Sequence, residues 1–356
     1  MISLSPPTAS HAVAALLTAD GFAWWYLDLV DGNGNGIVLI WSFGLPFLPD
    51  IRNTVPSPSR RPSIVLSGYE RGKESFYTFR EFEPESVDWD PATGVGSFGG
   101  TAITLIRSTT DVAVHVRLDL DVPGSGPALG GVIEVRGPVC QGGQWGHSHQ
   151  HQWMPLTAAT TGSAQFTGAW TASITGRAYV DHNCGTTPMT SLGIARWSWG
   201  RIAFPARELI WYTLSPEGGG PDEGVVVEIG ATGATRVVEQ VVESGPSRFT
   251  WSGVSAPRTV RFRDPDGEPV TVRILPPVDD APFYQRALVV AECAGHEGHG
   301  TTEVVIPPRL DAAWFRPFVE MRLKRPGVEE SRLLPLFSGA TRGRWARWLG
   351  AGGALT

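Results

Sequence analysis

The sequence predicts an all-β protein made of two β-barrel or β-sandwich domains with a few short helices. Short apolar and aromatic runs recur along the chain and are separated by turn residues, which is typical of such folds. The 43 Gly and 29 Pro residues are spread along the chain, as many turns require. At 356 residues the chain exceeds one ordinary core, so we expect one domain over residues 1–187 and a second over residues 188–356.

Most of the expected elements are strands. Residues 8–19 are expected to form a short helix capped by Thr8 or Ser10, and helical periodicity returns only near residues 308–322. The strands expected in the first half are Phe22–Val30, Gly36–Phe43, Ser63–Tyr69, Ser75–Glu81, Ala102–Arg107, Asp111–Leu120 and Gly131–Val135. Those expected in the second half are Gly193–Trp199, Glu208–Leu214, Val225–Ile229, Thr259–Asp264, Val270–Leu275, Gln285–Glu292 and Glu303–Ile306. Asn-Gly repeats between the first two runs predict a hairpin, because both residues tolerate positive φ.

Composition and charge narrow the class of partner. The net charge of −6 argues against nucleic acid, because phosphate binding needs a concentrated basic surface. Cys140, Cys184 and Cys293 are widely spaced, which favours free thiols in a reducing cytoplasm. The sequence shows neither a secretion signal nor an uncharged apolar run of about 18 residues, so we expect a cytoplasmic protein.

Aromatic residues dominate the first expected strand, in a chain with 14 Trp residues. Alternation would place Trp24, Tyr26 and Asp28 on one face and Trp25 on the other. One face would then line a ligand cavity while the other packs. The alternative is a strand buried on both sides, which requires a partner for Asp28.

A second segment carries a candidate acid. On a strand, Tyr179, Asp181 and Asn183 would share one face and His182 the other. Tyr and Asn can orient the carboxyl group, and desolvation in an apolar cavity raises the pKa of an aspartic acid until it can donate a proton near neutrality. The alternative is a turn in which Asp and Asn bind local backbone.

Paired tryptophans follow shortly after this segment. Trp197 and Trp199 would lie on one face, and aromatic faces attract a cation by about 0.5–2 kcal/mol each. A pair beside an acid suits a carbocation intermediate, although packing alone also explains it.

Histidines form a weaker pattern. His147, His149 and His151 alternate, and on a strand they would point the same way at a spacing suited to zinc or copper. No acidic residue accompanies them and glycines precede them, so we interpret the segment as a loop and expect no metal. The segment His296–His299 is expected to form a hairpin turn.

The C-terminal segment from Arg342 to Leu349 is basic and aromatic. One interpretation is a peripheral contact with the inner face of the membrane, where an isoprenoid substrate would reside. The other interpretation is a chain end that packs a few tryptophans.

The order of these segments resembles the carotenoid 1,2-hydratase, or hydroxyneurosporene synthase, family. The resemblance covers roughly residues 20–325 and rests on separate motifs. These are Trp24-Trp-Tyr-x-Asp28, His151-x-Trp-x-Pro155, Tyr179-x-Asp-His-Asn-x-Gly185, Arg196-Trp-Ser-Trp199 and the late Pro308-Arg-Leu, Arg316-Pro-Phe and Met321-Arg. The family usually has Trp where this chain has Cys184, so we expect an altered pocket.

This resemblance implies two lipocalin-like β domains and a hydro-lyase that works without a cofactor. Asp181, assisted by Tyr179 and Asn183, would protonate an alkene of a hydrophobic isoprenoid or polyene, and water would then add. The residues and the resemblance together lead us to expect a substrate-binding surface and two supporting histidines: Trp24, Trp25, Tyr26, Trp153, Trp197 and Trp199, with His151 and His182. The alternatives are a terpenoid cyclase or Diels–Alderase using the same pocket, and a lipid carrier without chemistry.

Overall fold

The protein consists almost entirely of β-strands, arranged in two curved sheets with a few short helices. The computed structural model describes residues 15–18, 21–45, 61–124, 126–141, 151–187, 191–240, 242–250, 252–310 and 312–352. This architecture confirms the predicted all-β, lipocalin-like class. The helix expected over residues 8–19 lies largely outside the described residues, and only residues 15–17 of it are seen to be helical.

The first sheet comes mainly from the N-terminal half. Its strands are β1 (Phe22–Val30), β2 (Gly36–Phe43), β3 (Pro62–Glu70), β4 (Lys73–Glu81), β5 (Val87–Asp90), β6 (Val95–Phe98), β7 (Thr101–Arg107), β8 (Asp111–Leu120), β9 (Leu129–Pro138), β10 (Gln152–Gly168) and β11 (Ala172–Gly185). They are hydrogen-bonded in the order β4-β3-β2-β1-β11-β10-β9-β8-β7-β6-β5. A 3₁₀ turn at Pro84–Ser86 precedes β5. Strands β1 and β11, the first and last of these along the chain, are therefore neighbours near the middle of the sheet.

The second half of the chain forms the second sheet and a small hairpin. Its strands are β12 (Ile194–Ala203), β13 (Arg207–Pro216), β14 (Glu223–Gly230), β15 (Thr235–Glu239), β16 (Glu243–Ser244), β17 (Ser247–Phe249), β18 (Ser255–Pro257), β19 (Thr259–Arg263), β20 (Pro269–Ala281), β21 (Tyr284–Cys293) and β22 (His296–Val305). The sheet order is β15-β14-β13-β12-β22-β21-β20-β19-β16, and β17 pairs with β18 apart from it.

The C-terminal segment returns to the first sheet. Its elements are α1 (Pro307–Leu310), α2 (Arg316–Glu320), β23 (Leu323–Lys324), α3 (Leu334–Phe337), β24 (Gly339–Ala340) and α4 (Arg344–Gly352). Both β23 and β24 pair with β4. The chain passes from the first sheet to the second between β11 and β12, close to residue 187. Because β23 and β24 lie after residue 187 and pair with β4, the first sheet also contains residues from the C-terminal half. Among the helices of the described ranges, none has the length and apolar character needed to cross a membrane.

Several strand boundaries agree with the sequence, and a few elements differ from it. Strands β1, β2 and β8 begin and end at the predicted residues. The 17 residues of β10 were not predicted as a strand. The segment His296–His299, expected to be a turn, begins β22 instead. The turn lies just before β22, at Ala294 and Gly295, which both have positive φ (48° and 77°).

Two layers of apolar side chains explain why every residue of β1 is buried. Trp25 and Leu27 point into the core of the first sheet. Trp24 and Tyr26 point the opposite way, into a core shared with the second sheet. Strand β1 is thus buried on both sides, and Asp28 is tolerated there because it is paired with Arg201 of β12.

Candidate active site

The candidate acid lies where the two sheets face each other. Asp181 is on β11, opposite Tyr26 of β1 and Pro155 of β10 in the strand register. Because side chains alternate along a strand, Tyr179, Asp181 and Asn183 point together, as the sequence predicts. Asp181 is only 4% exposed.

Three side chains donate hydrogen bonds to the carboxyl group of Asp181. Trp153 Nε1 and Tyr179 Oη donate to Oδ2 over 2.8 Å and 3.0 Å. Asn183 Nδ2 donates to Oδ1 over 2.9 Å. His151 Nε2 lies 3.0 Å from Asn183 Oδ1, so this histidine orients the amide group that donates to Asp181. Since Oδ2 accepts two bonds and Oδ1 one, a proton on the acid belongs on Oδ1.

Burial makes Asp181 a neutral acid at pH 7. Desolvation raises the pKa of Asp181 to about 8, against the lowering effect of the bonds from Trp153 and Tyr179. The negative charges of Glu303 and Asp28 raise the pKa further. Burial also lowers the pKa of His151 to about 4, so this histidine is neutral. The site therefore contains a neutral carboxyl group held by neutral side chains.

Aromatic rings from both sheets surround the acid. Trp153 and Tyr212 meet edge to face with centroids 4.8 Å apart, and Tyr212 stacks on Trp197 at 5.7 Å. Trp199 lies 5.4 Å from Tyr26 and 5.6 Å from Tyr179. These electron-rich faces can stabilise a positive charge that develops beside the acid.

Two expected site residues point the other way. Trp25 and His182 stack on each other with centroids 4.4 Å apart, inside the first sheet. His182 Nδ1 is 3.0 Å from the backbone oxygen of Trp24. Trp25 and His182 therefore lie on the opposite face of the sheet from Asp181, because side chains alternate along a strand. This corrects the expected binding role of Trp25 and the expected supporting role of His182. Cys184 belongs to the same inner core, so its replacement of the family Trp lies away from the cavity.

Of the three alternating histidines, His151 is the one that the described residues place at the site. His151 is fully buried, with its ring 5.4 Å from that of Trp197. His147 and His149 lie outside the described residues. A separate group of acidic side chains with metal-like spacing consists of Glu228 of β14 with Asp264 and Asp266 of the turn after β19. Arginines already neutralise it, with Arg207 2.7 Å from Asp264.

A cavity lies between the two sheets, near the acid. Three of the expected binding residues line it, namely Trp24, Tyr26 and Trp197. Most of its other walls are apolar and come from β2, β3, β4, β20, β22 and α2. Asp181 is not part of the lining, but Tyr26 is, and it lies opposite Asp181 in the register.

A buried charge network ties the sheets together behind the site. Arg201 of β12 forms an ion pair with Asp28 of β1 and donates to Glu208 Oε1 over 2.8 Å. Tyr26 Oη donates to Asp28 Oδ2 over 2.9 Å. All three charged side chains are fully buried. The network fixes Tyr26, and with it one cavity wall, relative to the second sheet.

Sequence reasoning missed the polar part of the cavity wall. Arg286 and Glu303 lie on neighbouring strands and form a 2.8 Å ion pair, and Asp279 and Arg322 form another. Tyr212 beside the acid was also missed. A charged residue inside an apolar run, such as Arg286 within β21, was the signal that could have found the first pair.

Comparison with known proteins identifies the family of this chain. The family model described as carotenoid hydratase CrtC matches residues 112–331, more than half of the chain. Hydroxyneurosporene dehydrogenase of Chlorobaculum tepidum is 24% identical over 351 residues, covering 87% of this chain and 89% of that protein. Acyclic carotenoid 1,2-hydratase of Thiocapsa roseopersicina is 21% identical over 348 residues, covering 91% and 78%.

A solved structure shares the fold. The crystal structure of a Nitrosomonas europaea protein with the provisional name AttH is 14% identical and has a TM-score of 0.55. The match covers 80% of this chain and 92% of that one. The range of the family match contains Asp181 and the residues around its carboxyl group, namely His151, Trp153, Tyr179 and Asn183. The chain belongs to the carotenoid hydratase family.

Proposed function

We propose that the protein adds water to an alkene of a hydrophobic isoprenoid or polyene, with Asp181 as the general acid. The observation that carries this proposal is the neutral carboxyl group held by Trp153, Tyr179 and Asn183 beside an apolar cavity. A name among the relatives, acyclic carotenoid 1,2-hydratase, supports the substrate class. In enzyme terms the protein is a hydro-lyase of carotenoid 1,2-hydratase type.

The reaction balances without a cofactor. The proton on Asp181 Oδ1 forms a new C–H bond at the less substituted alkene carbon, and the π electrons leave a tertiary carbocation. The oxygen of water then forms a C–O bond to the cationic tertiary carbon. The surplus proton on that oxygen returns to the Asp181 carboxylate. General acid catalysis contributes about 10²–10⁴-fold, and the fixed aromatic faces supply further stabilisation of the cation.

Cyclisation is a second outcome that one observation favours. Asp181 is nearly sealed from solvent by aromatic rings. If no water reaches the cation and the substrate is folded, an internal alkene captures it, and the product has unchanged mass. A Diels–Alderase or a carrier would instead not depend on the acid.

Mass spectrometry of products separates these outcomes. Purified wild type and Asp181→Asn are incubated with lycopene, neurosporene and prenylated aromatic compounds. A gain of one water that disappears in the variant is expected. Asp266→Asn serves as the matched control, because Asp266 is exposed in the turn between β19 and β20. A product of unchanged mass that needs Asp181 would indicate a cyclase, and product formation that survives Asp181→Asn would overturn the acid mechanism. Binding without any product from wild type would indicate a carrier.

We further propose a peripheral membrane contact through α4, in a cytoplasmic protein. Arg344 and Arg347 point back to the protein, to Glu74 and the backbone of Ala340. Trp345 and Leu349, one helical turn apart, are 68% and 65% exposed. Replacing both by serine should abolish sedimentation with vesicles containing phosphatidylglycerol, and unchanged sedimentation would contradict the proposal.

All three cysteines are buried and unpaired, as a reducing compartment allows.

A further inference from the structure

The cavity has a charged wall that a pure hydrocarbon substrate would not use. We propose that this wall binds a neutral oxygen function of the substrate, a hydroxyl or a carbonyl group, while the alkene reacts at Asp181. We call the four residues Asp279, Arg286, Glu303 and Arg322 the polar wall; all of them line the cavity. This inference rests on the proposed function and narrows its substrate class.

The first half of the polar wall is an almost completely buried ion pair. Arg286 Nε donates to Glu303 Oε1 over 2.8 Å. Arg286 Nη1 donates to Tyr69 Oη over 2.8 Å and lies 3.4 Å from Ser67 Oγ. Within the described part of the chain, Nη2 has no hydrogen-bond partner. The guanidinium group is therefore fixed on one side and keeps a donor for a ligand.

The second half of the polar wall repeats this arrangement. Arg322 Nη2 donates to Asp279 Oδ1 over 2.8 Å, and the guanidinium group lies 4.2 Å from the centroid of the Tyr77 ring. Arg322 Nε is buried and has no partner among the residues that the structure describes. Two fixed guanidinium groups with unused donors thus lie on the same cavity.

The charges of the polar wall determine which ligand group fits. Two cations are balanced by two anions, and the adjacent Glu74 is itself paired with Arg344 at 2.6 Å. A carboxylate or an ammonium group would bring an uncompensated charge into this site. A hydrocarbon would displace water from the wall and leave buried donors unpaired. A neutral oxygen accepts from the guanidinium groups without adding charge.

The position of the polar wall requires a substrate with two separate functions. Glu303 lies opposite Trp199 in the strand register, and Trp199 packs on Tyr179, which binds the acid. Tyr26 connects the other side, since it lines the cavity and lies opposite Asp181. The reacting alkene and the oxygen are therefore different groups of one amphipathic isoprenoid.

Ligand titration with a matched set of probes tests this inference. The probes are farnesene, farnesol, farnesal and farnesoic acid, which share a prenyl chain and differ in the polar end. Binding is measured by quenching of tryptophan fluorescence in Asp181→Asn, so that no turnover interferes. Farnesol, farnesal or both should bind about 10- to 100-fold more tightly than farnesene and farnesoate, because only a neutral oxygen satisfies the donors.

Paired replacements locate the preference. The double variant Arg286→Met/Glu303→Gln removes both charges together, which avoids an unpaired buried ion, and Arg322→Met/Asp279→Asn does the same for the second pair. At least one of them should reduce the preference to less than about threefold. Arg236→Met/Asp266→Asn, a pair with exposed side chains, should leave the preference unchanged.

Each outcome decides the inference. Equal binding of farnesene and farnesol, binding of none of the probes, or a preference that survives both double variants would overturn it. Turnover of a hydrocarbon by the wild type without any preference would leave the proposed hydration intact while the polar wall fails. A clear preference without product formation from any substrate would support the polar wall and count against the hydratase.

Discussion

The pH dependence of folding stability measures the burial of Asp181 directly. Burial raises the pKa of Asp181 from 3.8 to about 8, whereas the unfolded chain keeps the ordinary value. Between these two values the folded protein holds a proton that the unfolded chain has released. The contribution of Asp181 to stability is therefore complete at low pH and is lost as the pH rises towards 8.

Two buried histidines act in the opposite direction at lower pH. Burial lowers the pKa of His151 and His182 to about 4, so their contribution increases with pH until the unfolded value of about 6.5 is reached. Above about pH 6.5 the contribution of these histidines is complete, so the difference between wild type and Asp181→Asn from there to about pH 8 reports on Asp181. Across this window the wild type should lose about 2 kcal/mol through this one group.

Urea unfolding followed by tryptophan fluorescence at several pH values tests this reasoning. The free energy of unfolding of wild type should fall with pH across the window, and that of Asp181→Asn should lose this decrease. Asp266→Asn, at an exposed position, should keep the slope of the wild type. Parallel curves for wild type and Asp181→Asn would refute the assignment of a neutral buried acid, whatever the absolute stability of the variant.

Three further predictions concern neighbouring side chains. Tyr179→Phe removes a donor that stabilises the ionised acid, so the alkaline limb of the pH–rate profile should move to higher pH, and an unchanged limb would contradict the bond to Asp181. Arg201→Met leaves two buried carboxylates unpaired and should reduce the free energy of unfolding by about 3–5 kcal/mol, measured in urea; a loss below about 1 kcal/mol would show that the network carries little energy. Trp25→Phe should reduce stability without changing probe affinity, whereas Trp197→Phe should weaken probe binding in fluorescence titrations; the reverse result would contradict the assignment of strand faces.

The sequence contains enough information for the strands that carry the acid. The alternation of Tyr179, Asp181 and Asn183 predicted their common face, and Asn-Gly repeats predicted the hairpin of β1 and β2. Strand β10 escaped prediction because it combines Pro155 with polar residues. Its pairing with β11 shifts register after Pro155, and Ala159 adopts positive φ.

Long-range pairing explains what the sequence could not provide. Trp153 and Asp181 are 28 residues apart, and Arg286 reaches Tyr69 across 217 residues. Period and composition describe neighbours along one strand, so they do not show which charges will meet across two sheets. The buried role of Trp25 and His182 was within reach, because alternation already placed both away from Asp181.

The return of β23 and β24 to β4 has a consequence for biosynthesis. The edge of the first sheet at β4 stays open until almost the whole chain has left the ribosome, although the other strands of that sheet are made much earlier. An unpaired edge is a template for pairing with other chains during this interval. Chains that end before Leu323 should therefore aggregate during synthesis, rather than yield a folded N-terminal domain that lacks only its C-terminal helices.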